Sequence, residues 1–316
     1  MELPERVTQS RLWRGIKRPE FTQILGELRH LAEALAGQVE RTVPEYTDHS
    51  VKHMDSLWAV ADEILSASES AKLNSAEAFI LGCGFYVHDL GMALASTPEG
   101  VAQIRASEEY VAVHDQLTRS YKLRDPRADQ LALRAACRQI HAEKVSSLVS
   151  EPLPGVKRFL IENTEAREAW GYLIAEVAAS HHWSLDKVHR VLGARNAVPT
   201  ASGESVDAGY LACLLRVTDY AHINRERASN LARALRSEIG SDSVVHWDAQ
   251  SHITGPAREN DYLVYACTAP IEDVDAWWLF YDLASGLDAE IRSGARVPSR
   301  TSYFGRPVLT ARRHGG

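Results

Sequence analysis

The chain has 316 residues, enough for one large domain or two smaller ones. Its 45% hydrophobic and 24% charged composition is that of a globular protein able to bury a sizeable core. The net charge of −7 argues against a protein whose main surface is a nucleic-acid footprint, while leaving room for a local basic groove. Cys83, Cys137, Cys213 and Cys267 are far apart and show no C-x-x-C spacing. They read as free thiols of a reducing cytosol. No apolar run approaches the ~18 residues of a membrane span, and the charged start Met1–Arg6 lacks the apolar centre of a signal peptide. The expected setting is therefore cytoplasmic, with no membrane.

Residues 1–20 are polar, with Pro4 and Pro19 as punctuation. From Glu20 to Val43 the apolar positions Phe21, Ile24, Leu25, Leu28, Leu31 and Leu35 recur at helical spacing, and Pro44 ends that helix. The next helix is predicted to start near Thr47 or Asp48 and to run to Ile64. On that helix His49 and His53 would be four apart, one turn above each other on one face. Ser66 to Asn74 reads as a polar linker, and Ser75 as the cap of an apolar helix that runs into His88-Asp89, with Gly91 at its terminus. An imidazole and a carboxylate at the end of a buried helix cost several kcal/mol unless they are paired or bind a metal.

Residues 93–130 read as a loop-rich, charged rim carrying His114, Arg119, Lys122, Arg124 and Arg127. A helix from Leu131 to Val149 carries His141, followed by Glu143 and Lys144. Another from Ala166 to Ser180 runs into the doublet His181-His182, whose side chains would point about 100° apart if helical. The spacing does not choose between these two histidines. Gly193 to Asp207 is a Gly/Pro/Ser-rich surface loop, and Ala208 to Ile223 is a helix whose apolar face Asp219 interrupts. That carboxylate needs a cation partner. Beyond residue 240 the texture changes. Val244–Trp247 and Ser251–Thr254 read as short strands, Gly255–Asn260 as a hairpin turn, and Asp261–Thr268 as the best strand in the chain. A last helix after Pro270 carries Trp277, Trp278, Phe280 and Tyr281, a candidate core or protein-docking face.

Taken together the candidates run His53, His88-Asp89, His141, His181-His182, Asp219. This order resembles the HD-domain metal-dependent phosphohydrolase superfamily, whose pattern is H…HD…D, with the extra histidines of its two-metal members. The resemblance covers roughly residues 40–230 and implies a mainly α fold, an HD-domain helical bundle followed here by a small C-terminal β-hairpin and helix. The expected organisation is an N-terminal helical segment (1–45), the HD core (46–235), an α+β extension (236–300) and a basic tail (301–316).

The resemblance implies His53, His88, Asp89 and Asp219 as ligands of one metal. His141 with His181 or His182 would serve a second, and Asp89 would bridge. One or two divalent ions would be the cofactor, with Mn, Fe, Ni, Co or Zn suited better than Mg to mixed nitrogen and oxygen ligation. In cyclic-nucleotide phosphodiesterases, which share the fold, a His four residues before the metal-binding one protonates the leaving group. His49 has that place here. Many members carry Lys or Arg after HD-h-G where this chain has Met92, so the proton donor shifts to His49 or a metal-bound water, with Lys52 as a further candidate beside Asp89. Lys144, Arg225 and Arg227 are candidates for holding phosphate.

The substrate would be a nucleotide or single-stranded nucleic acid. Three readings compete. A nuclease or phosphodiesterase would be similar to the nuclease domain of CRISPR-associated helicases. A small-molecule nucleotide hydrolase fits the acidic surface. A non-catalytic sensor or partner-binding module of a larger system would use the aromatic C-terminal helix.

Overall fold

The computed structural model describes residues 3–42, 47–153, 157–193, 198–199, 204–228, 241–260, 262–270, 272–294 and 310–311. The chain is mainly helical. Two short helices, α1 (Glu5–Thr8) and α2 (Arg11–Gly15), lead into α3 (Pro19–Thr42), α4 (Val51–Ile64), α5 (Ala67–Ser70) and α6 (Ser75–Val87). A 3-10 turn over Leu90–Ser96 is followed by α7 (Pro98–Arg105), α8 (Glu108–Arg119) and α9 (Arg127–Ser150). Then come α10 (Thr164–Ala179), a 3-10 turn over Ser180–His182, α11 (Leu185–Val188) and a small ribbon of β1 (Val198–Pro199) with β2 (Ser205–Val206). The chain continues with α12 (Ala208–Ala221), α13 (Ser241–Ser251), β3 (Ile253–Glu259), β4 (Tyr262–Cys267) and α14 (Val274–Gly294). A two-residue strand β5 (Thr310–Ala311) lies parallel to β4.

The axis of the bundle is α6. Every residue from Ser75 to Val87 is buried, as expected of a helix apolar on all sides. It packs against α3, α4, α10 and α12. Phe79 stacks on Phe21 with ring centroids 4.2 Å apart, and Gly82 leaves the space that the Trp58 ring fills. The stretch Ser75–Ser96 is long and apolar enough to satisfy a membrane span by length and composition. Counting uninterrupted apolar residues misses it because Gly, Cys and the His-Asp pair break the run. Its burial inside the bundle, 94%, accounts for the apolarity.

Several local expectations are corrected. The cap of α6 is Asn74, not Ser75: its side chain accepts from the Glu77 amide while Glu77 accepts from the Asn74 amide, a reciprocal capping box. Part of the supposed linker is helical, α5, capped the same way by Ser66 and Glu69. The rim at 93–130 is mostly helix, because Thr97 and Ser107 cap α7 and α8. The predicted end of α3 at Pro44 lies outside the described residues, as do most of the 193–207 loop and of the basic tail.

The largest revision is beyond residue 240. Val244–Trp247 belongs to helix α13, not a strand. Its β-branched pair favours a strand only weakly, and tertiary burial of Trp247 and Gln250, three apart on one helix face, overrides it. The predicted turn residues Gly255–Glu259 are part of β3. The register Glu259↔Tyr262 puts the reversal after Glu259, with Asn260 at φ +56°. Gly255, at φ +121°, sits where the β3–β4 register shifts, and a side chain there would meet the Val264 carbonyl. The hairpin and α14 are not separate from the bundle. Val60 of α4 and Val217 and Ala221 of α12 share one apolar cluster with Ile253, Tyr265, Phe280, Leu287 and Ile291.

Candidate metal centre

Ser50 caps α4 by accepting from the Lys52 amide, so the helix begins at Val51. His49 therefore precedes the helix and does not sit one turn above His53 on it. Its place comes from the opposite side of the fold. The Asp48 amide donates to the Arg227 carbonyl at 2.9 Å, and the Arg227 guanidinium donates back to the Asp48 carbonyl at 3.3 Å. This clamp leaves the His49 and His53 ring centroids 6.2 Å apart.

The chain brings His53 (α4), His88 and Asp89 (end of α6), His141 (α9), His181 and His182 (the turn after α10) and Asp219 (α12) to one place. His53, His88 and Asp89 form one group with ligand atoms within 4.8 Å of one another; His141, His181 and His182 form a second. Asp89 joins them. Its Oδ2 lies 3.1 Å from His88 Nε2, and its Oδ1 lies 3.3 Å from His141 Nε2 and 3.5 Å from His181 Nε2. Asp219 closes the first group, with Oδ1 3.2 Å from His53 Nε2 and 3.7 Å from His88 Nε2. Gly91 is the reason the two groups meet. A Cβ there would lie 2.0 Å from the His141 backbone oxygen, so the 3-10 turn can rest directly on α9 only without a side chain.

The imidazoles are oriented by their other nitrogens. Nδ1 of His88 lies 3.1 Å from the Phe85 carbonyl oxygen, that of His141 2.7 Å from Arg138, and that of His181 2.6 Å from Ala178. Only an N–H satisfies a carbonyl, so Nε2 is the nitrogen each ring has left for a ligand. Those nitrogens converge. His141 and His181 point Nε2 at each other across 3.0 Å, with Asp89 Oδ1 beside them. Among the described residues His53 Nε2, His88 Nε2 and Asp219 Oδ1 are buried without a hydrogen bond of good geometry. Carboxylates and imidazole nitrogens converging in a buried site need a cation among them, a proton or a metal ion.

The titration behaviour points the same way. Burial opposes the charged form of His88, yet Asp89 and Asp219 outweigh it and raise its pKa to about 10. Burial likewise opposes ionisation of Asp89 and Asp219, and the surrounding histidines still hold both well below the ordinary carboxylate range. The site draws positive charge into itself. The residues present therefore fit one or two divalent ions of borderline character.

His181 is tied to its own helix and faces Asp89, whereas His182 is exposed and stacks its ring edge against His141 at 4.5 Å between centroids. Geometry thus separates the doublet where spacing could not. Burial, then His181 and His141, push His182 down to about 3. Burial also pushes His49 down to about 3, against the pull of Asp89 and with the help of Arg227. With Nδ1 donating to the Thr47 carbonyl at 2.6 Å, neutral His49 turns Nε2 toward Arg227 Nη2, from which it accepts at 3.5 Å, and lies 3.9 Å from Asp89 Oδ2.

Beside the ions' place is a cavity of about 330 Å³. Its walls include His49, Asp89, Asp219 and Arg227, and its far side is formed by His246, Trp247 and Gln250 of α13 and Leu283 of α14. The C-terminal extension roofs the site. Arg227 is the phosphate candidate that the fold delivers, with Nη1 3.8 Å from Asp219 Oδ1. The others are placed elsewhere. Arg225 is exposed and lines a separate groove of about 740 Å³ between α4 and the hairpin. Lys52 is exposed on α4, and neither it nor Lys144 lines the cavity. The rim residue His114 pairs with Asp125 at 3.1 Å, and Arg119 with Asp115 at 3.1 Å, both away from the cavity.

Sequence reasoning missed His222. It ends α12, stacks on His53 with ring centroids 5.0 Å apart, and exchanges a hydrogen bond with it, Nδ1 to Nδ1, at 2.8 Å. The tie to a helix-terminal imidazole fixes the ring of His53 as backbone carbonyls fix the others. Its only sequence signal is its place three residues after Asp219.

A helical bundle that gathers an H, HD, H, HH, D series around one bridging carboxylate is an HD-type domain. The chain belongs to the HD-CE family, whose model matches residues 43–293 and so takes in the hairpin and α14 as well as the bundle. No curated protein and no solved structure matches the chain.

Proposed function

We propose that this HD-type domain is a metal-dependent phosphohydrolase acting on a compact, nucleotide-sized phosphate ester. The observation that carries the reading is the set of inward-facing Nε2 atoms around Asp89 and Asp219, which calls for a cation. Divalent ions held by His53, His88, Asp89 and Asp219, and by Asp89, His141 and His181, would supply Lewis-acid activation of water and of the phosphoryl group. The chain's own residues supply the rest. Arg227, beside Asp219, is placed to receive phosphoryl oxygens with its fork of donors. His49 lines the cavity with its Nε2 3.5 Å from Arg227 Nη2, and is placed to pass a proton to the leaving oxygen once a bound phosphate's negative charge offsets the burial that lowers its pKa.

The size of the substrate follows from the roof. A cavity of about 330 Å³ lies at the small end of the ~300–1,000 Å³ range of ligand pockets. With a net charge of −7, it favours a single nucleotide over an extended strand. A second reading, a nucleotide-binding module that docks a partner, draws support from Trp278 and Tyr281, which stand 63% and 61% exposed on α14.

The test is release of inorganic phosphate by the Mn-loaded chain from nucleoside mono- and triphosphates, with opening of cyclic nucleotides and cutting of oligonucleotides scored in parallel. Turnover of a mononucleotide is expected, lowered ~10²–10⁴-fold in His49→Asn with metal content unchanged. Cleavage of oligonucleotides alone would overturn the size argument. Bound metal with no ester cleaved would establish the binding-module reading instead.

A further inference from the structure

We infer that Arg216 is a positioning residue for the His181-His182 turn, and that Glu290 of the C-terminal helix holds Arg216 in place. The inference rests on the reading that these histidines hold a metal ion. Arg216 lies on α12, one turn before Asp219, so one helix serves both ligand groups. Asp219 closes the group of His53 and His88. Arg216 reaches the other way. Its Nη1 donates to the carbonyls of Ser180 and of Trp183, the latter at 2.6 Å, which bracket the two histidines. Its Nε donates to the Glu290 carboxylate. The side chains of Arg216 and Glu290 are 11% and 15% exposed.

Each partner has a physical reason to be there. The carbonyls at the end of α10 form the negative end of its dipole. A guanidinium there reaches the Ser180 carbonyl, which also accepts from the Trp183 amide at 3.0 Å, and the Trp183 carbonyl on the far side of the turn. A mostly buried guanidinium in turn needs a counter-charge, and α14 brings one. His181 hangs from this turn through its bond to the Ala178 carbonyl. Fixing the end of α10 therefore fixes the 3.0 Å approach of His181 Nε2 to His141 Nε2 and the 3.5 Å approach to Asp89 Oδ1. His53 and His88 sit on α4 and at the end of α6, outside the reach of the strut. The C-terminal extension thus completes the site twice, as the roof of the cavity and as the anchor of one ligand group. No charge at residue 290, some 70 residues beyond the last motif residue, would suggest this from the sequence.

The test is titration of the full chain with Mn²⁺, followed by calorimetry and by the spin-coupled electron paramagnetic resonance signal of a metal pair. The wild type is expected to take up two ions. Arg216→Gln keeps one at wild-type affinity and binds the second ~10–100-fold more weakly, as losses around metal ligands do. Arg216→Lys is intermediate, because an ammonium keeps the charge but not the fork. Glu290→Gln shows the smallest loss. Thermal midpoints read alongside separate positioning from general destabilisation. Two ions bound at unchanged affinity in Arg216→Gln and Arg216→Lys would overturn the inference and leave the metal reading standing. So would equal weakening of both ions in step with a lowered midpoint. A wild type that binds fewer than two ions would overturn it at once, and one that binds none would take the proposed function with it.

Discussion

The two histidine groups that meet at Asp89 are held by different means. His53 and His88 are 1% and 0% exposed and come from α4 and the end of α6, which pack into the main core with α3 and α12. Their positions follow from the same helix packing that makes the bundle stable. His141, His181 and His182 grade from buried through half-buried to exposed. They come from α9 and a short turn, and depend on single polar ties: the Arg138 and Ala178 carbonyls, the Arg216 strut and the bare backbone of Gly91. A site in the core cannot move without unfolding part of it. A site on a turn can be loosened locally. On the metal reading, the difference predicts a firmly held ion at the deep group and a more exchangeable one at the outer group.

The largest effect should come from removing what the groups share. Asp89→Ala takes away one carboxylate oxygen from each, and it leaves His88 and His141 without the charge that gathers them. Elemental analysis of protein purified without chelator is expected to find about two transition-metal equivalents per wild-type chain and none in the variant, on the two-ion reading of the site. One equivalent surviving in Asp89→Ala would mean that the groups are independent and that the carboxylate does not bridge.

The convergence of these side chains was legible in the sequence, and so was the bundle, for one reason. Apolar residues at a period of 3.6 mark α3, α4, α9, α10 and α12, a continuous apolar run marks α6, and a polar residue inside such a pattern stands out against it. His88-Asp89, His141 and Asp219 are all of this kind. What stayed hidden was direction and distance. Lys52 and Lys144 lie within three residues of His53 and His141, yet neither lines the cavity, because sequence neighbours on a helix point different ways. Arg227 and Arg225 are two residues apart, and only Arg227 reaches the site. The roof was misread because Val244 and Val245 carry β-branched side chains, whereas the helix they form exists to bury Trp247 and Gln250 against the bundle. His222 has no pattern of its own, and a residue that supports a ligand need not have one.

The next largest effect tests how the outer group is kept in register. Gly91→Ala would place a methyl 2.0 Å from the His141 carbonyl oxygen, a backbone atom that cannot turn aside. The 3-10 turn and α9 must separate, which moves His141 away from Asp89 while the packing of α4 and α12 around His53 is untouched. Calorimetric titration with Mn²⁺ is expected to show weakening by ~10–100-fold of one ion and little change in the other. Equal weakening of both would show that the outer group shares the rigidity of the core.

The smallest effect is one of slope, and it separates the groups by their protons. His88 has its pKa raised to about 10, with Asp89 and Asp219 outweighing burial, so the cation-free protein holds a proton there at neutral pH. A raised pKa stabilises the cation-free fold fully below the ordinary histidine value of ~6.5, and that stabilisation is lost as the pH climbs through about 10. An ion entering the deep group must displace this proton, so its affinity should rise by roughly tenfold per pH unit across the neutral range. Asp89 and Asp219 add nothing to the slope, since the surrounding histidines hold both ionised far into acid. At the outer group His181 is pushed down, by burial first, and binds as a neutral imidazole without releasing a proton. Titrations at one pH in two buffers of different ionisation enthalpy read this directly. About one proton should leave with the ion whose binding His53→Ala abolishes, and none should leave with the ion whose binding His181→Ala abolishes. Equal release from both would mean that the two groups hold their charge alike, and that depth alone does not distinguish them.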